Sequence, residues 1–405
     1  MLFNTKKNNK SIAESIIFEK KPVYLYGAGT PLGDTVLYLK EHNIPILAII
    51  DKNEVYNGQF FEGIPYILPK MSIDKDIPVI ITTRLYIEEI STELSRKGHL
   101  CILPFYYFYK GSGAMERSYA RKRAIEESLD YKEKELQNQC CEMLVLDSID
   151  LILTERCSLR CRDCANLMQY YVNPKDEDYD TQIKALIAIA EACDMIREIR
   201  VLGGEPFMSQ EVYRYIKSCL SHDNVGMITV YTNGTIVPQG ENLDILINDR
   251  VFVRISDYGR VSKNIDELTY MLDEKNILYE IMVWHSWQDC SGFYDRNRSD
   301  DELVVEYDRC CTNNTFTLKG GILYGCPFAA NADALSAIPH TASDGIDVIT
   351  IDSVRDLRQR ILFLKRKPFY GACRFCSGRP SYATPLPAAV QSDVVLPYKV
   401  VGEQE

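Results

Sequence analysis

Three closely spaced cysteines are the strongest chemical feature of this sequence. Cys157, Cys161 and Cys164 follow Ile149 to Thr154, a short apolar run typical of a strand. Three thiolates on one loop can bind three irons of a 4Fe-4S cluster and leave the fourth iron open. Structural zinc takes four protein ligands, and the neighbouring sequence offers no fourth cysteine or histidine. The spacing favours a cluster, with a zinc knuckle or incidental loop cysteines as alternatives.

Small polar residues recur at the ends of the next predicted strands. Gly203, Gly204 and Glu205 end one strand, where glycines allow a close backbone approach to a ligand and a carboxylate can accept bonds from an ammonium group. The later strand ends carry Thr232-Asn233-Gly234 and Ser256-Asp257. A generic turn is the alternative for each, and the better interpretation of Thr232 and Asn233 taken singly. Together with the cysteine loop, these segments predict one binding rim.

A second group of cysteines lies in the last third of the chain. Cys326 follows a predicted hairpin, and Cys373 and Cys376 form a CxxC pair after a predicted helix. Cys310 and Cys311 compete for the fourth position, and we favour Cys310. Four thiolates could fully ligate a second 4Fe-4S cluster, and a four-cysteine zinc site is the alternative.

Candidate catalytic groups follow other strand ends. Cys290 lies beyond the fifth predicted strand, where a thiol could donate hydrogen, although a packed, unreactive cysteine is the stronger interpretation. The other candidate acid, base or substrate groups are Tyr170, Tyr171, His285 and Asp289. A structural role is the alternative for each of them.

A glycine-rich loop near the start of the chain resembles a phosphate-binding turn. Gly27, Gly29 and Gly33 follow a predicted strand, and Asp51 ends the next one. Glycines there admit a phosphate to a helix amino terminus, and the acid could meet a ribose. The third glycine comes one position late, so nucleotide binding competes with a structural or dimer-forming role.

The elements that must position these residues are repeated strand-helix units. Such repeats predict an α/β protein, and five of them after residue 148 favour a partial (β/α) barrel, with its reaction centre at the carboxyl ends of the strands. We divide the chain into a Rossmann-like domain (20–110), a helical linker (111–145), the partial TIM-like barrel (146–300), a cysteine-rich domain (301–385) and a tail (386–405).

Composition narrows the class of protein and its partners. The chain has 405 residues, a net charge of -11 and 14 cysteines. The negative charge argues against nucleic-acid or anionic-lipid partners, and there is no long apolar run for a membrane span. We expect a cytoplasmic protein, where clustered cysteines are ligands rather than disulfides.

The CxxxCxxC loop, the following GGEP segment and their order on successive strands resemble the radical SAM superfamily over about residues 148 to 290. The resemblance implies that the open iron of a 4Fe-4S cluster is chelated by S-adenosylmethionine (SAM). It further implies that Gly203, Gly204 and Glu205 meet the methionine amino group and that Ser256 and Asp257 meet the ribose. Many members carry an aromatic residue where this chain has Asp163. A flavodoxin- or ferredoxin-type reductant is also implied.

The flanking regions resemble known attachments to such enzymes. The last third resembles the twitch domain, a short form of the SPASM auxiliary-cluster domain, and the first domain resembles small Rossmann-like domains of sugar-modifying enzymes. These resemblances imply oxidation or epimerisation of a small polar substrate, with a sugar or nucleotide-linked sugar favoured. The alternatives are a peptide maturase, an NAD-dependent dehydrogenase and a non-catalytic iron-sulfur protein.

Overall fold

A computed structural model describes residues 6–29, 32–71, 73–83, 87–108, 144–289, 292–313, 315–378 and 385–401. These residues fall into two compact units, 6–108 and 144–401. The predicted linker helix, Cys140, Cys141 and Cys290 lie outside the described residues. In the ranges given above, no helix is both long and apolar enough to cross a bilayer.

The first unit is built on a mostly parallel sheet. Its strands are β1 (Val23–Tyr26), β2 (Ile46–Ile50), β3 (Phe60–Phe61), β4 (Ile64–Ile67), β5 (Val79–Ile81) and β6 (Ile102–Pro104), in the order β3-β4-β2-β1-β5-β6. Its helices are α1 (Lys6–Glu19), α2 (Leu32–Glu41) and α3 (Ile87–Arg96). β5 is fully buried, as expected for a parallel strand covered on both faces. β2 and β4 lie on one side of β1 in the sheet, and β5 and β6 lie on the other. The strand order therefore reverses between β1 and β5, and this position is the switch point of a doubly wound sheet.

The second unit contains an open sheet of nine strands. They are β7 (Val145–Leu146), β8 (Ser148–Thr154), β9 (Met195–Gly203), β10 (Val225–Thr232), β11 (Val251–Asp257), β12 (Tyr279–Val283), β14 (Thr315–Lys319), β15 (Ile322–Tyr324) and β16 (Gly345–Asp347). A separate pair joins β13 (Ser286–Trp287) to β17 (Leu386–Pro387). The helices are α4 (Tyr179–Ala192), α5 (Val212–Leu220), α6 (Glu241–Asp244), α7 (Ile265–Glu274), α8 (Asp300–Asp308), α9 (Pro327–Ala334) and α10 (Val354–Lys365).

The strand order β12-β11-β10-β9-β8-β14-β15-β16 confirms the predicted partial barrel. β8 to β12 run parallel in sequence order, and the sheet does not close. The predicted hairpin of β14 and β15 is present, but it extends the barrel sheet, because β14 pairs in parallel with β8. The cysteine-rich region therefore shares backbone hydrogen bonds with the barrel.

Alternation along the strands gives the barrel sheet one apolar face and one charged face. Ile149 and Leu151 of β8 belong to the main core with residues of the flanking helices. Asp150 lies between them and points to the opposite face. There it belongs to a set of five charged residues, here called the charged layer: Asp150, Glu198, Arg200, Arg254 and Glu280.

Two arginines hold the charged layer together. Arg200 Nε lies 2.9 Å from Glu198, and its Nη1 lies 3.7 Å from Asp150. Arg254 Nη2 lies 3.2 Å from Glu280, and its Nη1 donates to the Tyr231 hydroxyl at 2.7 Å. Toward the amino ends of the strands, a small apolar cluster of Met227, Phe252 and Leu278 underlies this layer. The charged face is thus polar toward the rim and apolar only at its base.

A buried ion triplet joins the ends of β8 and β14. Lys319 Nζ lies 2.8 Å from Glu155 and 2.5 Å from Glu177, and all three side chains are buried. The Tyr171 ring lies 5.5 Å from the same ammonium group. Both carboxylates depend on this one cation for charge compensation within the triplet.

We expect Lys319→Met to lower the free energy of unfolding by about 3–5 kcal/mol, because it leaves two buried carboxylates uncompensated. Urea unfolding at pH 7 measures the loss. Lys275→Met is the control: Lys275 lies 3.7 Å from Asp244, both side chains are exposed, and removing such a pair costs about 0–1 kcal/mol. Equal losses in the two variants would contradict this role for the triplet.

Candidate functional site

The three-cysteine loop follows β8, and its thiols lie close enough to influence one another's pKa. Burial is the main cause that raises the pKa of Cys157, and the neighbouring Cys164 and Cys161 raise it further. Burial also raises the pKa of Cys161 to about 11. The Leu159 amide donates to Cys157 Sγ at 3.4 Å. Among the described residues, no group of three or more histidines, cysteines or acids is arranged to hold a single metal ion.

Gly203 and Gly204 allow the end of β9 to lie directly on this loop. The Gly204 amide donates to the Thr154 carbonyl at 2.8 Å, and the Glu205 amide donates to the Arg156 carbonyl at 2.9 Å. A Cβ on Gly203 would lie 2.2 Å from the Thr154 carbonyl oxygen, and one on Gly204 would lie 2.2 Å from that of Arg156. The close approach for which these glycines were singled out is therefore made, at this face, to the cysteine loop.

Glu205 is fully buried and links β9 to the end of β10. Its carboxylate accepts from the Asn233 amide at 2.8 Å, the Thr232 hydroxyl at 2.9 Å and the Phe207 amide at 3.3 Å. Burial raises its pKa to about 7, and these three donors oppose the shift. Asn233 in turn points its Nδ2 at Cys157 Sγ, 3.6 Å away. A polar chain thus runs from Glu205 to a cysteine sulfur.

The end of β11 contributes to the same rim. The Ser256 carbonyl accepts from the Ser262 hydroxyl at 3.2 Å, and Asp257 Oδ1 accepts from the Gly259 amide at 2.7 Å. Tyr258, the next residue, was not singled out from the sequence. Its pKa is raised mainly by burial, with further contributions from all three thiols, so it lies beside the cysteine loop.

The other candidate catalytic residues lie in different surroundings. Tyr170 is buried among aromatic rings, 5.2 Å from Phe293 and 5.4 Å from Tyr398. Tyr171 is buried, and its hydroxyl donates to Asn331 at 3.0 Å. His285 and Asp289 are exposed, and their backbone carbonyls accept from Ala388 and Ser377 respectively.

The second cysteine group surrounds one cavity. Cys310, Cys326, Cys373 and Cys376 all line it, whereas Cys311 is exposed and does not. Burial raises the pKa of Cys326, and the other three thiols of the group raise it further. Arg298 also lines the cavity and donates to the carbonyls of Cys376 and Ser377 at 3.0 and 3.2 Å. Sequence reasoning missed this cation because its hydrogen bonds run to Cys376 and Ser377, which lie 78 and 79 residues further along the chain.

Gln169, a buried amide that lies between the two cysteine groups along the chain, was also not identified from the sequence. Gln169 follows the three-cysteine loop and is fully buried. Neither its side-chain nitrogen nor its oxygen has a hydrogen-bond partner. Leaving such groups unpaired costs about 1–3 kcal/mol each, so a polar ligand that reached this amide would recover that energy.

The glycine-rich loop of the first unit lies at the switch point of its sheet. Gly27 has a φ of 104°, in the region that favours glycine, and Gly29 lies against the backbone of Thr82. Asp51 Oδ2 accepts from the Ala28 amide at 2.6 Å. The carboxylate expected at a ribose therefore binds the loop itself. Gly33 lies within α2, where a Cβ would meet only the Phe61 ring, at 4.0 Å.

Residues 151–265 match the family model described as the Radical SAM superfamily. The chain is 27% identical over 134 residues to the GTP 3',8-cyclase of Clostridium acetobutylicum, a match that covers 30% of this chain and 42% of the relative. It is 24% identical over 172 residues to the molybdenum cofactor biosynthesis protein 1 of Drosophila melanogaster, covering 38% and 30%. The matches thus span less than half the length of these relatives.

Solved structures overlap with the chain in part. BtrN, solved with AdoMet and 2-DOIA, is 14% identical with a TM-score of 0.35, and the match covers 58% of this chain and 94% of BtrN. SuiB from Streptococcus suis, bound to S-adenosylmethionine, is 14% identical with a TM-score of 0.29, covering 58% and 52%.

The raised pKa of Glu205 predicts a pH-dependent stability. The folded state binds this proton more tightly than the unfolded chain, so stability is fully present below the usual pKa of 4.5 and falls as the pH rises to 7. The expected loss from this residue is about 3 kcal/mol. Glu205→Gln should remove this part of the pH dependence, as measured by urea unfolding of the reduced, iron-free protein at pH 5 and 7.5. Glu274→Gln, at an exposed acid, should retain it, and identical slopes in all three proteins would contradict the assignment.

Proposed function

We propose that this chain, whose residues 151–265 form a domain of the radical SAM superfamily, is an enzyme that cleaves SAM reductively and removes hydrogen from a small polar substrate. The observation that carries the proposal is the three-thiol loop at the end of the first barrel strand. The Glu205 amide donates to the Arg156 carbonyl of this loop, and Asn233 Nδ2 donates to Cys157 Sγ. A chain of this kind would work in a reducing, cytoplasmic setting with a flavodoxin- or ferredoxin-type reductant.

Cys157, Cys161 and Cys164 would hold a 4Fe-4S cluster with one open iron. Three thiols with no fourth cysteine or histidine in their loop suit that cluster better than structural zinc. When bound, the cluster and SAM supply a carbon radical that abstracts hydrogen. The role of the chain is to bind SAM through Gly203, Gly204, Ser256 and Asp257, with Glu205 orienting the rim, and to keep water out while the radical exists.

The polar rim supports this arrangement through rigidity. Thr232 and Asn233 are tied to Glu205, and Asn233 reaches the sulfur of Cys157. Side chains fixed in this way need little reorganisation when a ligand binds. Glu205 has no exposed surface, so in this proposal it orients the Thr232-Asn233 turn instead of meeting the methionine amino group as the resemblance implies.

The charged layer supports a polar substrate. A ligand that enters the barrel from the rim faces Arg200 and Arg254, whose charges are balanced by carboxylates. An apolar ligand would desolvate these groups without replacing their hydrogen bonds, which is costly. Sugars, nucleotide-linked sugars and nucleotides have the hydroxyl and phosphate groups that such a surface can bind, and we favour the first two.

The second cysteine group would hold an auxiliary cluster. A 4Fe-4S cluster with four thiolate ligands carries a net negative charge, because its sulfides and thiolates outweigh the irons. Among the described residues, the cavity lining offers one cation, Arg298, to offset part of that charge, beside one carboxylate, Glu306. An electron acceptor there would favour oxidation of the substrate, and epimerisation with Cys290 as the hydrogen donor is the alternative. The first unit remains a candidate nucleotide-binding or dimer-forming module.

Iron content and SAM cleavage test the proposal together. After anaerobic reconstitution we expect about eight irons per chain and formation of 5'-deoxyadenosine with dithionite and SAM. Cys161→Ala should keep about four irons and lose the product. Cys376→Ala should lose the auxiliary cluster, and Cys311→Ala is the matched control that should lose neither. A fully loaded protein that forms no product would contradict the proposal and favour a non-catalytic iron-sulfur protein. Tight NAD binding without iron would instead favour a dehydrogenase.

Deuterium transfer into 5'-deoxyadenosine tests the substrate class. We expect transfer from a deuterated sugar or nucleotide-linked sugar, with deuterated GTP and peptides as the rival probes. Arg254→Met should reduce this transfer at least about tenfold, since it removes one charged-layer contact, while SAM cleavage without substrate stays near the wild-type rate. Arg260→Met, at an exposed arginine, is the control. Transfer from an apolar peptide side chain alone would refute a polar substrate.

A further inference from the structure

The segment 385–401, which includes most of the predicted tail (386–405), crosses the three-cysteine loop. We call this segment the strap. Gln391 and Cys161 form an antiparallel bridge. On either side of it, the Arg162 amide donates to the Val390 carbonyl and the Ser392 amide donates to the Arg160 carbonyl, both at 2.8 Å. The strap therefore pairs with the loop as a short strand would.

The side chain of Gln391 adds two directed contacts. Its Oε1 accepts from the Arg160 amide at 2.8 Å, and its Nε2 donates to Cys161 Sγ at 3.2 Å. Because a backbone N–H can only donate, the oxygen must face Arg160 and the NH2 group must face the sulfur. Nε2 also donates to the Ala389 carbonyl at 2.8 Å. Gln391 is itself exposed, so these bonds rather than packing fix its orientation.

Anchors on both sides hold the strap in place. Before Gln391, β17 pairs with β13, and the Ala388 amide donates to the His285 carbonyl at 3.1 Å. After it, the Leu396 amide donates to the Gln169 carbonyl at 2.9 Å, and the Tyr398 hydroxyl donates to the Leu335 carbonyl at 2.7 Å. Gln391 is thus held across the loop from two fixed points.

We propose that Gln391 is a positioning residue that orients Cys161 and, through its N–H···S hydrogen bond, raises the reduction potential of the cluster that this loop would hold. The inference rests on the proposed function for its redox part. A donor to a thiolate sulfur stabilises the more negative, reduced state, and hydrogen bonds to cluster sulfurs are known determinants of potential. Cys157 Sγ accepts hydrogen bonds from the Leu159 amide and from Asn233 Nδ2. The strap provides a comparable N–H donor to Cys161 Sγ.

Redox titration of the reconstituted full chain tests the electronic effect. The potential is followed on the EPR signal that changes when SAM is added, which separates this cluster from an auxiliary one. We expect Gln391→Leu to retain wild-type iron and shift the potential downward, and Gln391→Glu, which sets a carboxylate oxygen against the sulfur, to shift it further. Val394→Ala, at an exposed strap residue, should match the wild type.

Hydrogen exchange on the iron-free protein tests the positioning effect independently of any cluster. In Gln391→Leu, exchange in peptides spanning 158–164 and 388–394 should rise together by about tenfold, as expected for one lost hydrogen bond. Unchanged exchange in that variant, or an unchanged potential in a loaded one, would overturn the proposal. A wild-type chain that loads no iron would refute the proposed function, and the exchange result would still decide whether Gln391 holds the loop.

Discussion

The structure of the site depends on one steric condition: the end of β9 must lie against the backbone that follows β8. A side chain at Gly203 would overlap the carbonyl oxygen of Thr154 at the end of β8, and one at Gly204 would overlap that of Arg156 in the loop, so two residues without a Cβ lie where the contact is closest. The backbone bonds made there place Glu205 under the Thr232-Asn233 turn. That turn then reaches Cys157. The close contact between β9 and the cysteine loop thus helps to fix the orientation of Cys157 Sγ.

The two faces of the barrel sheet contribute differently to stability. Its apolar face packs on helices and supplies the hydrophobic stabilisation of the second unit. Its charged face gains little net stability from its ion pairs, since buried pairs roughly offset the cost of their own desolvation. In the proposed function, these five charged residues face the polar substrate. The cysteine-rich region also has a charged side chain at its candidate site, because Arg298 lines the same cavity as the four thiols.

Much of this could be predicted from the sequence because the signals are local. The repeated strand-helix units predicted the parallel partial barrel, and the cysteine spacing and the glycine-containing strand ends predicted which segments lie at its rim. The pairing of β14 with β8 could not be predicted, because Ser148 and Thr315 are 167 residues apart and no local pattern encodes the pairing. Gln391, Arg298 and Tyr258 were missed for a similar reason: each becomes important only through a neighbour that is distant in sequence. Asp51 was predicted at the right place, but its carboxylate binds its own loop.

The position of β14 also has a consequence for biosynthesis. Since β8 is flanked by β9 on one side and β14 on the other, its second edge stays unsatisfied until the ribosome has made residue 319. During that interval an open strand edge is a template for pairing with other chains. The late synthesis of β14 therefore makes β8 the interior strand of the barrel that is longest exposed to intermolecular pairing before the chain is complete.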